Sequence, residues 1–413
     1  MPIRASSTVL FRLGIALIAL HVLDDNFLQP EPGTSAGDHL VSGLVPLGLL
    51  GLAAWAYPRV RGAWQGAMAL AFGVLAIAAG SEGFYYSREV GPSGDDFTGL
   101  MCLAAAVLLV GVGAVTLWRT RRTDGSLWWR YPRRTLIGAA AVIPALLLAV
   151  VGLGYATTHI GRAVVPPDRL GVPHENVSFQ TRDGLELEGW YVPSRNGAAV
   201  IASPGRNGAQ KQTRMLARHG YGVLLFDRRG EGRSEGRPNS WGWGGDADLK
   251  AAIDYLQRRP DVDDDRIGGI GLSVGGEMLI ETAAETDELK AVVSDGAGAR
   301  SYGEERLHDE RSVNKVLGAL AGVTKTASVA VFSNQAPPAS LKDLAAEADQ
   351  PLLLIAAPNS PQGEKLNRHY ARAAGDNATL WEIPEARHVG GLDARPEEYE
   401  RRVVGFFDEA LAR

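Results

Sequence analysis

The first 160 residues carry a series of apolar stretches, each close to the length that crosses a lipid bilayer, and nothing else constrains the fold as strongly. A spanning helix takes about 20 consecutive, largely apolar residues. Leu40 to Tyr57, Gly62 to Gly80, Phe97 to Trp118 and Thr135 to Tyr155 meet that requirement. Ser6 to Leu23 is a shorter fifth candidate and carries Arg12. A buried helical core in a soluble protein is the alternative, but a succession of such runs joined by short linkers favours spans. For Ser6 to Leu23 the rival is a secretory signal peptide, yet no clear small-residue cleavage site follows its apolar core.

Orientation follows from the arginines, which mark cytoplasmic linkers. Arg59 and Arg61 occupy one linker; Arg119, Arg121, Arg122, Arg130, Arg133 and Arg134 occupy another. The remaining linkers hold Asp24, Asp25, Glu31 and Asp38, or Glu89, Asp95 and Asp96. The last span starts from the arginine-rich side, so everything after it is expected on the non-cytoplasmic face. The expected partner is therefore the bilayer, and a net charge of −5 gives no reason to expect nucleic acid. The single cysteine, Cys102, permits no intrachain disulfide and no Cys-rich metal centre.

His21, Asp24, Asp25 and His39 gather around the first outer linker, with Glu82 near the outer end of the third span. Ionisable groups at membrane depth suggest a metal or proton site. The plainer reading is a set of solvated residues at helix ends.

After Thr158 the composition changes, and Val165-Pro166-Pro167 reads as a linker between a membrane domain over 1–160 and a second domain over 170–413. There, strand-like and helix-like segments alternate. Val177–Thr181 and Leu185–Val192 flank an Asp183-Gly184 turn, which predicts a hairpin. Ala198–Ala202, Gly222–Phe226, Arg266–Gly271, Ala291–Ser294, Pro351–Ala356 and Leu380–Ile383 are short apolar runs suited to buried strands. Gln210–His219, Asp246–Arg258 and Pro396–Leu411 are helical in pattern. This order predicts a mainly parallel sheet with helices on both faces. An insertion over about 297–350 has helical periodicity and carries Tyr302, Leu307, Val316, Leu317, Leu320 and Phe332, which suggests a small lid.

Gly271-Leu272-Ser273-Val274-Gly275 matches G-x-S-x-G, where glycines permit a sharp strand-to-helix turn that presents the serine hydroxyl. With 50 glycines in the chain, chance supplies this pattern roughly 0.3 times, so context must decide. The predicted strand Arg266–Gly271 leads in and a helical Gly276–Glu285 leads out, which is the required setting. A serine nucleophile needs a base. Of His159, His174, His219, His308, His369 and His388, only His388 follows the last predicted strand, where such hydrolases carry the base. The oxyanion hole needs two backbone amides. Val274, next after the nucleophile, and Arg206, in the loop after Ala198–Ala202, are the candidates.

With these residues in place, the chain from about Val177 to Leu411 resembles the α/β-hydrolase superfamily, nearest its serine aminopeptidase-like and dienelactone hydrolase-like branches. Asp227-Arg228-Arg229-Gly230-Glu231-Gly232-Arg233-Ser234 is similar to their D-x-R-G-x-G-x-S segment, and Asp263 to Gly268 fits their approach to the nucleophile strand. Two positions depart from the pattern. Pro204-Gly205 stands where many relatives have His-Gly, a minor change because backbone amides do the work there. Ser360 stands where relatives place the triad aspartate. Glu364, four residues on, is the first candidate to replace it, and Asp295, after the preceding strand, is the second.

Arg228, Arg229 and Arg233 could hold an anionic substrate or fix their own loop. Asp261, Asp263 and Asp265 mimic the start of a calcium loop but lack its glycine and closing acid. The resemblance implies a serine hydrolase that cleaves an ester, thioester or amide of a small-molecule or lipid-like acyl substrate through an acyl-enzyme, without cofactor or metal. A membrane-anchored peptidase is the alternative within the class, and a catalytically inactive sensor or scaffold is the alternative outside it.

Overall fold

The computed structural model of the chain describes residues 2–30, 33–89, 95–120, 147, 150–159, 170–205, 208–305, 307, 312–360 and 364–412. Two compact units emerge: Met1–Gly161 with Val323–Asn334, and Arg162–Gly322 with Gln335–Arg413.

The first unit contains α1 (Pro2–Leu23), a π-helical turn over Asp24–Leu28, α2 (Leu40–Ala56), α3 (Gly62–Glu89) and α4 (Asp95–Thr120). Among the described residues four helical segments are long and apolar enough to cross a membrane: Ser6–Leu28, Leu40–Arg59, Gly62–Ser81 and Thr98–Thr120. Most of the expected span Thr135–Tyr155 lies outside the described residues; 150–158 are helical. Small residues let α3 and α4 approach closely, as expected where apolar helices pair without a hydrophobic driving force. A Cβ on Gly66 would stand 2.6 Å from Leu117, on Gly73 2.8 Å from Val110, and on Gly80 2.5 Å from Leu103. The glycines rise and their partners fall in steps of seven residues, the register of an antiparallel pair.

The second unit is built on an eight-stranded sheet in the order β1-β2-β4-β3-β5-β6-β7-β8. The strands are β1 (Glu175–Gln180), β2 (Glu186–Val192), β3 (Ala199–Ser203), β4 (Gly222–Phe226), β5 (Ile267–Leu272), β6 (Ala291–Asp295), β7 (Leu352–Ala356) and β8 (Ala378–Glu382). The pairs β1/β2 and β2/β4 are antiparallel and the rest parallel, which agrees with the predicted hairpin followed by a parallel sheet. Strands β3 to β7 are buried throughout because helices cover both faces.

Later helices include α5 (Gln210–Arg218), α6 (Asp246–Gln257), α7 (Val274–Glu285), α8 (Ser312–Ser333) and α9 (Pro396–Ala410). The two-residue period of a strand sends neighbours to opposite faces. Ile201 and Leu224 join Leu249 and Ile253 of α6 and Leu279 of α7 in one core. Val200 and Val223 join Leu216 of α5 and Val403 and Phe407 of α9 in the other.

The 297–350 insertion, expected as one lid, is divided between the two units: residues 323–334 group with the N-terminal helices. Phe332 packs edge-on against Tyr155, with ring centroids 5.3 Å apart. Its apolar periodicity is that of a core-facing helix, which sequence alone does not tell from a lid.

Candidate active site

Ser273 lies between β5 and α7 at φ 53° and ψ −121°, a conformation that L-residues rarely adopt and that costs on the order of 1–3 kcal/mol. The surrounding glycines make the turn possible. A Cβ on Gly271 would collide with the Gly275–Gly276 peptide, and one on Gly275 with the Ser203 carbonyl at the end of β3. The turn is pinned from β6, where the Asp295 carbonyl accepts a 2.7 Å bond from the Ser273 amide.

His388 follows β8 and reaches back over the sheet. Its Nε2 is 3.0 Å from Ser273 Oγ, and its Nδ1 is 2.7 Å from Glu364 Oε1. The next residue, Val389, has φ 49°, so the chain turns sharply just after the imidazole. Glu364 opens a single 3-10 turn after β7 and has no solvent-exposed surface. Its second oxygen accepts the Ala357 amide hydrogen at the end of β7. One carboxylate thereby ties the imidazole to the strand end, and its long side chain covers the four-residue offset from Ser360.

Asp295 is buried close by but is engaged elsewhere: the Tyr399 hydroxyl of α9 donates to its Oδ2 at 2.9 Å. Burial pushes this carboxyl up to about 7, against the opposing effect of the Tyr399 bond. Of the two candidate acids, the structure brings Glu364 and not Asp295 to Nδ1.

Val274 is the first residue of α7, where amides have no acceptor within the helix. Arg206 falls outside the described residues. Gly205 beside it passes close to Ser273: a Cβ there would stand 2.7 Å from the Leu272 carbonyl.

Arg228 and Arg229 of the Asp227–Ser234 segment serve the loop. Arg229 donates through Nε to Asp248 at 2.7 Å and through Nη1 to Asp183 at 2.9 Å. Arg228 pairs with Glu231. Asp227 accepts the Arg233 amide at 3.2 Å, and burial pushes its carboxyl up to about 7. Asp261 accepts from the Tyr191 hydroxyl and the Ser194 amide, both at 2.7 Å, and so fixes a turn.

A buried group that the sequence did not signal lies along α7. Arg300, with no exposed surface, stands 2.7 Å from Glu281 and 3.9 Å from Glu277. Glu277 also accepts the Gly298 amide at 2.8 Å, and its carboxyl is pushed up by burial, opposed by Arg300. Its only sequence signal is an acid two residues beyond the motif, a position that reads as ordinary helix surface.

Against known proteins, the X-Pro dipeptidyl-peptidase (S15) family profile matches residues 175–394. An uncharacterized protein of Mycobacterium tuberculosis is 38% identical over 117 residues, 27% of this chain and 41% of its own length. The uncharacterized protein YfhR of Escherichia coli strain K12 is 27% identical over 178 residues, 38% of this chain and 62% of its own. The chain thus spans less than two thirds of the length of these relatives. An esterase of Pyrococcus furiosus superposes with a TM-score of 0.50 at 23% identity, covering 61% of this chain and 97% of that one.

Proposed function

Because the chain belongs to the X-Pro dipeptidyl-peptidase (S15) family and has an α/β-hydrolase fold, we propose that it is a membrane-anchored serine hydrolase acting on acyl substrates. His388 Nε2 takes the proton of Ser273 as Oγ attacks the substrate carbonyl. The oxyanion rests on the amides of Val274 and Arg206. His388 then protonates the departing alcohol, thiol or amine, leaving an acyl-enzyme. It next takes a proton from water, whose oxygen attacks the acyl carbon; the acid leaves and Ser273 regains its proton. Glu364 holds the Nδ1 proton and orients the ring without becoming protonated.

One observation carries this reading: the continuous series Ser273 Oγ, His388 and Glu364 at 3.0 and 2.7 Å. It also weighs against an inactive scaffold, a reading that the absence of a carboxylate at Ser360 would favour. The test is labelling of the full chain in detergent with a fluorescent fluorophosphonate. Wild type is expected to label, Ser273→Ala and His388→Ala not at all; equal labelling of wild type and His388→Ala would sink the proposal.

Ester, thioester or amide substrates with a lipid-like acyl group suit a hydrolase held at a bilayer. A peptidase is the second reading, favoured by the family's description. Relative turnover of p-nitrophenyl esters and aminoacyl anilides separates the two.

The four apolar helices support multi-pass anchoring, and the arginine linkers support a non-cytoplasmic hydrolase unit. Cys102 is buried, so a cysteine introduced by Asp265→Cys, at a side chain 88% exposed, reports sidedness without background. An impermeant maleimide is expected to label it in intact cells.

A further inference from the structure

The ionisable residues of the first outer linker find partners inside the first unit. His21, Asp25 and His39 are buried there, not solvated. Asn26 donates to Asp25 at 2.9 Å, the His21 ring lies 3.2 Å from Thr98 Oγ1, and His39 Nε2 lies 2.7 Å from Thr34 Oγ1. Among the described residues no three His, Cys, Asp or Glu side chains gather closely enough to hold a metal ion.

Helix α8 presents the opposite case, apolar side chains that face outward. Among the described residues after Leu153, Val316, Leu320 and Val323 are the only large apolar side chains that are exposed, at 70%, 41% and 49%. All three belong to α8. With 3.6 residues per turn, spacings of four and three put them on one face of the helix. Ala327, also exposed, continues the same line. Single exposed aliphatics are ordinary on a protein surface, whereas a row of them on successive turns marks an interaction surface.

The surroundings of α8 point to lipid as the occupant of this face. Residues 323–334 belong to the unit of span-forming helices. Within it a Cβ on Gly154 would stand 2.5 Å from Ser328 Cβ, and Phe332 packs edge-on against Tyr155. The hydroxyls of Ser328 and Ser333 donate to the carbonyls of Thr324 and Val329 at 2.7 and 2.6 Å, which satisfies them inside the helix without water. The span-forming helix α2 exposes side chains of the same kind, Leu44, Leu49 and Leu52. Both flanks of α8 return to the second unit, where Leu307 packs against the core and Gln335 lies against Gly244. A helix with one apolar face, whose two ends return to one folded unit, lies along a bilayer instead of crossing it. Lys325, the sole charged residue from Val316 to Ser333, is nine positions from Val316 and so on the opposite side of the helix.

We propose that the face of α8 formed by Val316, Leu320 and Val323 lies in the headgroup–acyl boundary of the bilayer. The insertion that was expected as a lid thus becomes a second hold on lipid, beside the span-forming helices. The proposal rests on the membrane-anchored reading and uses no residue of the Ser273 site. Water or a second copy of the chain would be the other occupants, and each leaves a different trace.

The test places the full chain in phosphatidylcholine vesicles with a nitroxide on one introduced cysteine at a time, Cys102 being buried. Val316→Cys, Leu320→Cys and Val323→Cys each replace an exposed side chain, and an unchanged melting temperature shows that the fold is kept. Oxygen partitions into lipid and a nickel chelate stays in water, so their collision rates with the nitroxide report what surrounds it. Asp265→Cys, at a side chain 88% exposed, is the water reference, and Val107→Cys, 78% exposed on α4, is the lipid reference. At the three α8 positions nickel collisions are expected at least about threefold below those at Asp265→Cys, with oxygen collisions raised, as for a face sunk in the acyl boundary. Nickel collisions equal to the water reference would overturn the proposal while Val107→Cys still reported lipid, leaving the anchoring intact. An immobile label reached by neither reagent would overturn it in favour of a second copy. A water-like signal at Val107→Cys would overturn the anchoring and this proposal together.

Discussion

His388 Nδ1 lies 2.7 Å from Glu364, a glutamate that starts the 3-10 turn after β7 and whose other oxygen holds the Ala357 amide. In the proposed mechanism the longer side chain does from position 364 what an aspartate at Ser360 would do.

Glu364→Gln keeps the shape and removes the charge that fixes the imidazole tautomer. Hydrolysis of a p-nitrophenyl ester is expected to fall by about 10³–10⁴ in kcat. Asp295→Asn, at a side chain bonded to Tyr399 and not to His388, should lose much less. If both variants lost equally, the imidazole would depend on the two acids together.

Asp295 also makes a stability prediction. Burial raises its folded carboxyl from 3.8 to about 7. A raised folded value means that its contribution is fully present below the unfolded value and is lost as pH rises to about 7. Each pH unit between the two costs about 1.4 kcal/mol. Thermal melting of Asp295→Asn should therefore gain on wild type between pH 4 and pH 7, with no further gain at higher pH. A constant difference across that window would contradict the assignment.

Arg229 is committed to Asp248, which has no exposed surface, and to Asp183. Arg229→Ala leaves Asp248 buried without its ion partner and should cost about 3–5 kcal/mol. Lysine cannot reproduce the forked geometry, so Arg229→Lys should rescue only part of the loss. A role in substrate binding would instead appear as a KM rise confined to anionic esters at unchanged stability.

The strand-to-helix turn tolerates no Cβ at its glycines. Gly275→Ala would drive a methyl into the Ser203 carbonyl; with backbone as the neighbour, the cost should reach at least about 1–3 kcal/mol. Gly405→Ala, inside α9 where a Cβ meets nothing within 4 Å, is the matched control and should raise the melting temperature slightly, because alanine is the better helix former by about 1 kcal/mol.

The sheet was readable because its signals are local. Predicted strand Gly222–Phe226 matches β4, and Leu380–Ile383 lies within two residues of β8. Ser273 and His388 were readable because a glycine-flanked turn and a histidine after the last strand leave few alternatives. The choice between Glu364 and Asp295 was not, since it depends on Tyr399 reaching Asp295 across 104 residues of sequence. The same holds for Arg300 with Glu277 and Glu281, and for the fate of His21 and Asp25. Burial of a polar side chain is a property of what packs over it. The division of the 297–350 insertion escaped for that reason too: an apolar helical stripe does not name the surface it will cover.

Ser273 sits at φ 53°, in the region where glycine alone is unstrained. Selection for persistence and selection for chemistry therefore pull this codon in opposite directions. A serine-to-glycine change there needs a single base substitution from an AGC or AGT codon, and would relax the turn while removing the proposed nucleophile. A lineage released from the need for hydrolysis would be expected to drift toward glycine at this site, keeping the sheet and gaining thermal tolerance. Ser273→Gly measured beside Ser273→Ala reproduces that step: both silent toward fluorophosphonate, with the glycine form melting higher.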